Sequence, residues 1–163
     1  MRFPFSFQSA FNDCGPTCLK MIATYYGRNY PLRFLENKFT LKPHGVSMLN
    51  IHKAAKAIGF YSRGVKLNIE KLKEIVKFSP VLLHCKQNHF TIVYKTPKPG
   101  KKGKYYIADP AEGLIKLNEK DFLNLWLYTP STDSKQQQHF HKKSAYLRLG
   151  SALIISASAI KQY

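Results

Sequence analysis

Acidic residues are scarce in this chain. Nine Asp and Glu stand against 26 Lys and Arg, a formal charge of +17 over 163 residues. Such a deficit rules out a surface built for cationic partners and favours anionic ones, either nucleic acid or an acidic lipid headgroup layer. It leaves the fold open, and a lysine-rich composition also serves solubility alone. Cysteine is equally sparse. Three of them, Cys14, Cys18 and Cys85, make an odd set in a chain this long, which excludes a disulfide scaffold and leaves at least one free thiol, with a reducing compartment as the default. The N-terminus, Met-Arg-Phe-Pro-Phe-Ser-Phe, lacks the apolar run of a signal peptide. Also absent are a Gly-rich phosphate loop, His-Glu-x-x-His, and any helix-turn-helix or zinc-finger pattern, so the charge by itself specifies no nucleic acid. What is present is apolar: 44% of the residues, with eleven Phe and ten Tyr, enough for one domain with a sizeable core.

Periodicity and punctuation divide the chain. Asp13 to Gly27 reads as a first helix, with Leu19, Ile22, Ala23 and Tyr26 at helical spacing, Pro16 tolerated near its start and Gly27 placed to end it. The stretch around Leu32 and Phe39 holds at most a helical turn. Ser47 caps a second helix that carries Met48, Ile51, Ala55 and Ile58 on one stripe and stops at Gly59. A third follows Asn68, with Leu72, Ile75 and Val76 inward. After Pro80 the pattern changes: Val81 to Cys85, His89 to Tyr94, Tyr105 to Ala108 and Leu114 to Leu117 read as strands separated by turns. Between the second and third lies a loop with Lys95, Lys98, Lys101, Lys102 and Lys104 around Pro97, Pro99 and Gly100, which reads as exposed and needs no ligand. A last short helix begins after Asn118 and buries Phe122, Leu125 and Trp126.

Helices first, then hairpin-linked strands, is the α+β pattern. The domain is expected to span residues 1–130, followed by a polar linker over 131–138. A basic stretch with Lys142, Lys143 and Arg148 then leads into the apolar run from Leu149 to Ile160. Twelve mostly apolar residues are too few to cross a bilayer, which needs about twenty. They are expected to form a helix lying on a membrane or on the domain, or the opening of a membrane region.

The segment from Gln8 to Gly15 carries the most chemistry. A nucleophilic cysteine must react as thiolate, and a helix N-terminus supplies positive potential and unpaired N–H groups beside Cys14. Gly15 lets backbone and substrate approach closely. Gln8, six residues upstream, can turn its amide on an oxyanion together with the Cys14 N–H. His89 opens a strand beside a turn, where its ring projects from the sheet rim. Asp109 closes the next strand, so on antiparallel neighbours the two lie side by side, in the division of labour a nucleophile, base and orienting carboxylate require. Blander readings stand beside these: a lone Cys is more often a small buried hydrophobe, Cys18 and Cys85 read as core, and Asp109 before Pro110 is also a turn residue. His52 reads as a solvated or hydrogen-bonded residue along its helix, and His44, His84, His139 and His141 lack an equally suggestive setting. Cys14, Cys18, Cys85 and His89 also offer three sulfurs and one imidazole, a zinc-like set with looser spacings than common structural zinc modules.

Four ordered segments resemble the peptidase C39 family, the papain-like domains at the N-termini of bacteriocin-processing ABC transporters. They are Gln8…Asp13-Cys14-Gly15-Pro16-Thr17-Cys18…Tyr25-Tyr26-Gly27, Gly45-Val46-Ser47 with Ala54-Ala55 and Gly59-Phe60, Pro80 to His84 with Asn88-His89-Phe90, and Asp109-Pro110 with Gly113. The resemblance covers roughly residues 8 to 128. It implies a papain-like cysteine protease fold with N-terminal helices packed against an antiparallel sheet. It further implies Cys14 as nucleophile, His89 as base, Asp109 as its orienter and Gln8 at the oxyanion, without cofactor or metal. The implied substrate is a leader peptide cut after Gly-Gly. The implied partners are the membrane and ATPase domains of a transporter, in cis or in trans, on the cytoplasmic side of the membrane. A docking module that binds leader peptides without cutting them is the alternative.

Overall fold

The computed structural model describes residues 2–39, 45–127 and 149–158. Helix α1 (Cys14–Tyr25) is followed by the short α2 (Leu32–Glu36) and by α3 (Met48–Ala57). Strand β1 (Tyr61–Leu67) precedes α4 (Ile69–Val76), and β2 (Val81–His84), β3 (Phe90–Lys95), β4 (Tyr105–Asp109) and β5 (Gly113–Leu117) follow. Helix α5 (Glu119–Trp126) and strand β6 (Gly150–Ser156) complete the order. The helix starts follow from side-chain caps. Ser47 Oγ accepts the Asn50 N–H at 3.2 Å, Asn68 Oδ1 that of Lys71 at 2.9 Å, and Asn118 Oδ1 that of Asp121 at 2.9 Å, each satisfying a donor the helix itself cannot.

The six strands form one antiparallel sheet in the order β1-β6-β2-β3-β4-β5. Both of its faces are covered. Leu82, Phe90, Ile92, Ala108, Leu153 and Ile155 pack with α1 and α3 on one side. Their neighbours in sequence, among them Leu83, Val93, Ile107, Ala152 and Ile154, pack with α4 and α5 on the other. This two-sided burial explains why the central strands carry near-continuous apolar runs, Val81 to Leu83 and Ala152 to Ile155, rather than alternating ones. Beneath α4 a charge is buried. Lys73 is 2% exposed, and its ammonium meets Glu70 at 2.8 Å, Glu119 at 3.4 Å and the Lys101 carbonyl at 3.3 Å. The Tyr105 hydroxyl donates to Glu119 at 2.8 Å. The lysine therefore enters the interior fully paired.

The C-terminal segment differs from the sequence expectation. Residues 150–156 form neither a helix on the surface nor the opening of a membrane span; they form β6, inserted between β1 and β2. Among the described residues no helix is long and apolar enough to cross a membrane. The domain thus does not close near Pro130, because its sheet takes a central strand from beyond that point. The physical reason is that a short apolar run fits a strand buried on both faces as well as it fits a helix. Gly150 marks the join. A Cβ there would lie 2.2 Å from the Trp126 ring, whose Nε1–H donates to the Ser151 carbonyl at 3.1 Å. The linker at 131–138, the basic stretch to Arg148, and His44, His139 and His141 lie outside the described residues.

Candidate active site

A 3-10 turn, Phe11–Asp13, runs directly into α1, so that Cys14 is the helix's first residue, only 6% exposed. Asp13 folds its carboxylate back onto the Ala10 N–H at 2.9 Å and fixes the approach. Gly15 is needed for packing. A Cβ there would fall 2.2 Å from Cγ2 of Val46 and 3.3 Å from Cδ1 of Ile51, so its absence lets the head of α1 settle on α3.

From the sheet comes the imidazole. His89 follows a turn, Lys86–Asn88, in which Gln87 and Asn88 both adopt left-handed backbone, φ 57° and 56°. The His84 ring braces that turn, 2.7 Å from Asn88 Oδ1 through Nε2 and stacked on Phe90 at 4.8 Å. Asp109 closes β4, antiparallel to β3 with Ile92 opposite Ala108, which brings the carboxylate level with the start of β3. His89 Nε2 lies 2.9 Å from Asp109 Oδ1. The same oxygen accepts the N–H of Ala111 at 2.9 Å and of Glu112 at 3.3 Å, so the carboxylate is locked by its own turn. Cys14 is the second side chain that favours the proton on His89. Since Nε2 is engaged by Asp109, Nδ1 is the nitrogen left for the thiol.

The electrostatics follow from these contacts. The hydrogen bond to Asp109, then the influence of the Cys14 side chain, raise the His89 pKa to about 9 against the opposing effect of burial. For Asp109 burial pushes upward, but the bonds from His89 and from the Ala111 and Glu112 amides outweigh it and hold the carboxyl below its ordinary value. Gln8 is anchored close by through its backbone, whose N–H donates to the Pro110 carbonyl at 2.9 Å. Its side-chain Oε1 is buried without a hydrogen-bond partner among the described residues. A site results in which an imidazole is hydrogen-bonded to a carboxylate and acted on by a thiol, the set of groups that activates a sulfur nucleophile and returns its proton to a leaving group.

All three cysteines are free thiols, and the other two are occupied elsewhere. Cys18 points at the Phe90 carbonyl, 3.4 Å away, and burial pushes its pKa well above the ordinary thiol value. Cys85 lies 3.4 Å from the Thr91 hydroxyl, and burial raises it to about 12. No group of three His, Cys, Asp or Glu among the described residues is arranged to hold a metal ion, so the four residues weighed as a zinc set do not converge. His52 is hydrogen-bonded, 2.8 Å from the Ser62 hydroxyl, as its helix position suggested. Nothing in the local sequence signals the bracing role of His84; Asn88 alone is of a type that tolerates left-handed backbone readily.

A family model described as the peptidase C39 family matches residues 2–132. The colicin V secretion/processing ATP-binding protein CvaB of Escherichia coli is 29% identical over 120 residues, which are 74% of this chain and only 16% of that protein's length. Among solved structures, the peptidase domain of Streptococcus ComA, a bi-functional ABC transporter, superimposes with a TM-score of 0.73 at 21% identity. The alignment covers 96% of this chain and all of that one. A double glycine motif protease from an AMS/PCAT transporter, in complex with its leader peptide, gives 0.69 at 25% identity, covering 94% of this chain and 91% of that one. The α+β architecture is the papain-like fold of these peptidase domains.

Proposed function

Because this chain belongs to the peptidase C39 family, we propose that it is a cysteine endopeptidase that cuts leader peptides after a Gly-Gly pair, with Cys14 as nucleophile. The observation that carries the reading is the imidazole of His89, hydrogen-bonded to Asp109 at 2.9 Å and near enough to Cys14, at the head of α1, for the thiol to favour its proton. His89 takes the thiol proton and the sulfur attacks the carbonyl of the second glycine. The resulting oxyanion faces the Cys14 N–H and the amide of Gln8. His89 then hands its proton to the departing amine as the C–N bond breaks, leaving a thioester. In the second half a water gives its proton to His89 and its oxygen to the acyl carbon, releasing the leader and restoring the thiol. Asp109 holds the ring's tautomer and stabilises its cationic form without exchanging the proton.

The substrate class rests on similarity to relatives: CvaB is a secretion/processing protein, and the AMS/PCAT protease is a double glycine motif enzyme seen with its leader. A glycine pair also suits the chemistry, since only residues without bulk pass a narrow cleft beside the sulfur. Work together with a transporter's membrane and ATPase domains, on the cytoplasmic side, belongs to the same proposal. Incubation with a panel of Gly-Gly leader peptides, read by mass spectrometry, tests it. Wild type yields a product ending at the second glycine, and Cys14→Ala yields none while keeping its circular dichroism and melting temperature. Turnover by that variant would sink the assignment. A docking module that does not cut is separated by a thiol-directed electrophile: Cys14 labels in the native state well before Cys18 and Cys85, whose thiols burial keeps protonated.

A further inference from the structure

We propose that the Lys-rich loop between β3 and β4, together with Phe78 at the end of α4, forms a docking face for an anionic lipid bilayer. The acidic groups of this region are already paired. Glu70 and Glu119 turn to the buried Lys73, and Glu74 pairs with Lys71 at 2.9 Å. Lys77, Lys98, Lys101, Lys102 and Lys104 are all exposed, and none has a carboxylate within 4.0 Å among the described residues. The loop is not a loose tether for these charges. The Gly100 N–H donates to Glu70 Oε2 at 2.8 Å and Lys73 Nζ to the Lys101 carbonyl at 3.3 Å, which pins the loop against α4.

Beside this loop stands an exposed aromatic ring. Phe78 is 66% exposed, and it shares a depression with Pro99, Lys71, Lys77 and Glu74, the carboxylate being paired to Lys71. An apolar ring flanked by lysines matches a bilayer surface, where the ring enters the headgroup boundary while the ammonium groups meet lipid phosphates. The patch contains no arginine, the side chain whose planar fork reads nucleic-acid phosphates and bases, and a duplex with its bases stacked inside, or a polyglutamate chain, gains nothing from burying Phe78. Topology also suits this surface. β3 runs from Phe90, next to His89, to Lys95, and β4 returns from Tyr105 to Asp109. The loop therefore leaves the hairpin a strand length, about 17 Å, from the candidate active site, which a bilayer at the loop leaves open.

Vesicle sedimentation tests the face without relying on peptidase activity. The full 163-residue chain is mixed with vesicles of phosphatidylcholine alone or of an equal mixture with phosphatidylglycerol, at about 0.1 M and about 1 M salt. Binding is expected only to the anionic vesicles and to fade at high salt. A lysine near such a surface is worth roughly fivefold in partitioning, so Lys98→Gln/Lys101→Gln/Lys102→Gln should lose roughly a hundredfold. The equally charged control Lys53→Gln/Lys56→Gln/Arg63→Gln should lose far less, and Phe78→Ser should weaken binding with its charge intact. Unchanged melting temperatures certify that the variants are folded. Equal losses in both triple variants would overturn the proposal. So would an unaffected Phe78→Ser, or capture of duplex DNA or polyglutamate but not of anionic vesicles.

Discussion

The His89 ring sits between two groups that both favour its proton, and this has consequences for stability as well as for catalysis. Its folded pKa of about 9 lies above the ordinary 6.5, so it contributes stability that is complete below pH 6.5 and is lost as pH rises through 9. Asp109, held below its ordinary 3.8, contributes above that value and loses its share as pH falls through its lowered pKa. Both contributions are whole only between those ordinary values. The stability advantage of wild type over His89→Gln, read from urea midpoints, should therefore shrink steadily from pH 6.5 to 9; a constant difference would contradict the pairing. In Asp109→Ala the largest upward influence on the ring is gone. Its NMR titration should move back towards 6.5, and cleavage should fall by less than the roughly 10²–10⁴-fold expected for His89→Ala, where the base itself is removed. Equal or reversed losses would deny Asp109 an orienting role.

Between elements the decisive contact is the head of α1 on α3. Gly15→Ala would drive a methyl group to within 2.2 Å of Val46 Cγ2, an overpacking expected to cost about 1–3 kcal/mol and to shift Cys14 away from His89. Cleavage should fall along with stability. Val46→Ala in the same chain removes the clashing carbon and should restore much of both; no rescue would mean that Gly15 matters for another reason. This contact also marks where sequence reading stops. The starts of α3, α4 and α5 were legible because Ser47, Asn68 and Asn118 cap them within three residues. Cys14, His89 and Asp109 were legible because each stands at the end of an element with its own local signal. The packing task of Gly15 is not legible, since only the folded structure puts Val46 opposite it. Strand β1 was missed because Tyr61 to Lys66 is exposed or half-buried and shows no apolar period. Lys73 was unreadable for the opposite reason, as its burial depends on Glu119 from a helix 46 positions further on.

At the scale of the whole molecule, the strand latest in the chain is not at the sheet's edge. β6 joins β1 on one side to β2 on the other, so the N-terminal elements cannot close their sheet until residues 150–156 arrive. Leu153, Ile154 and Ile155 are all buried, at about 1.5–3 kcal/mol each. Their sum rivals the roughly 5–15 kcal/mol that holds a typical domain together. A chain ending at 148 should consequently lose cooperative thermal unfolding, near-ultraviolet dichroism and leader cleavage together. It would keep two unpaired strand edges facing a strand-wide gap, a template for β-augmentation. A synthetic peptide of residues 149–158 should fill that gap and recover dichroism and cleavage in proportion to its occupancy. A reversed-sequence peptide, which puts the residues of the two faces in the wrong order, should not. If the shortened chain melts like the full one, β6 is an accessory and the sheet closes without it.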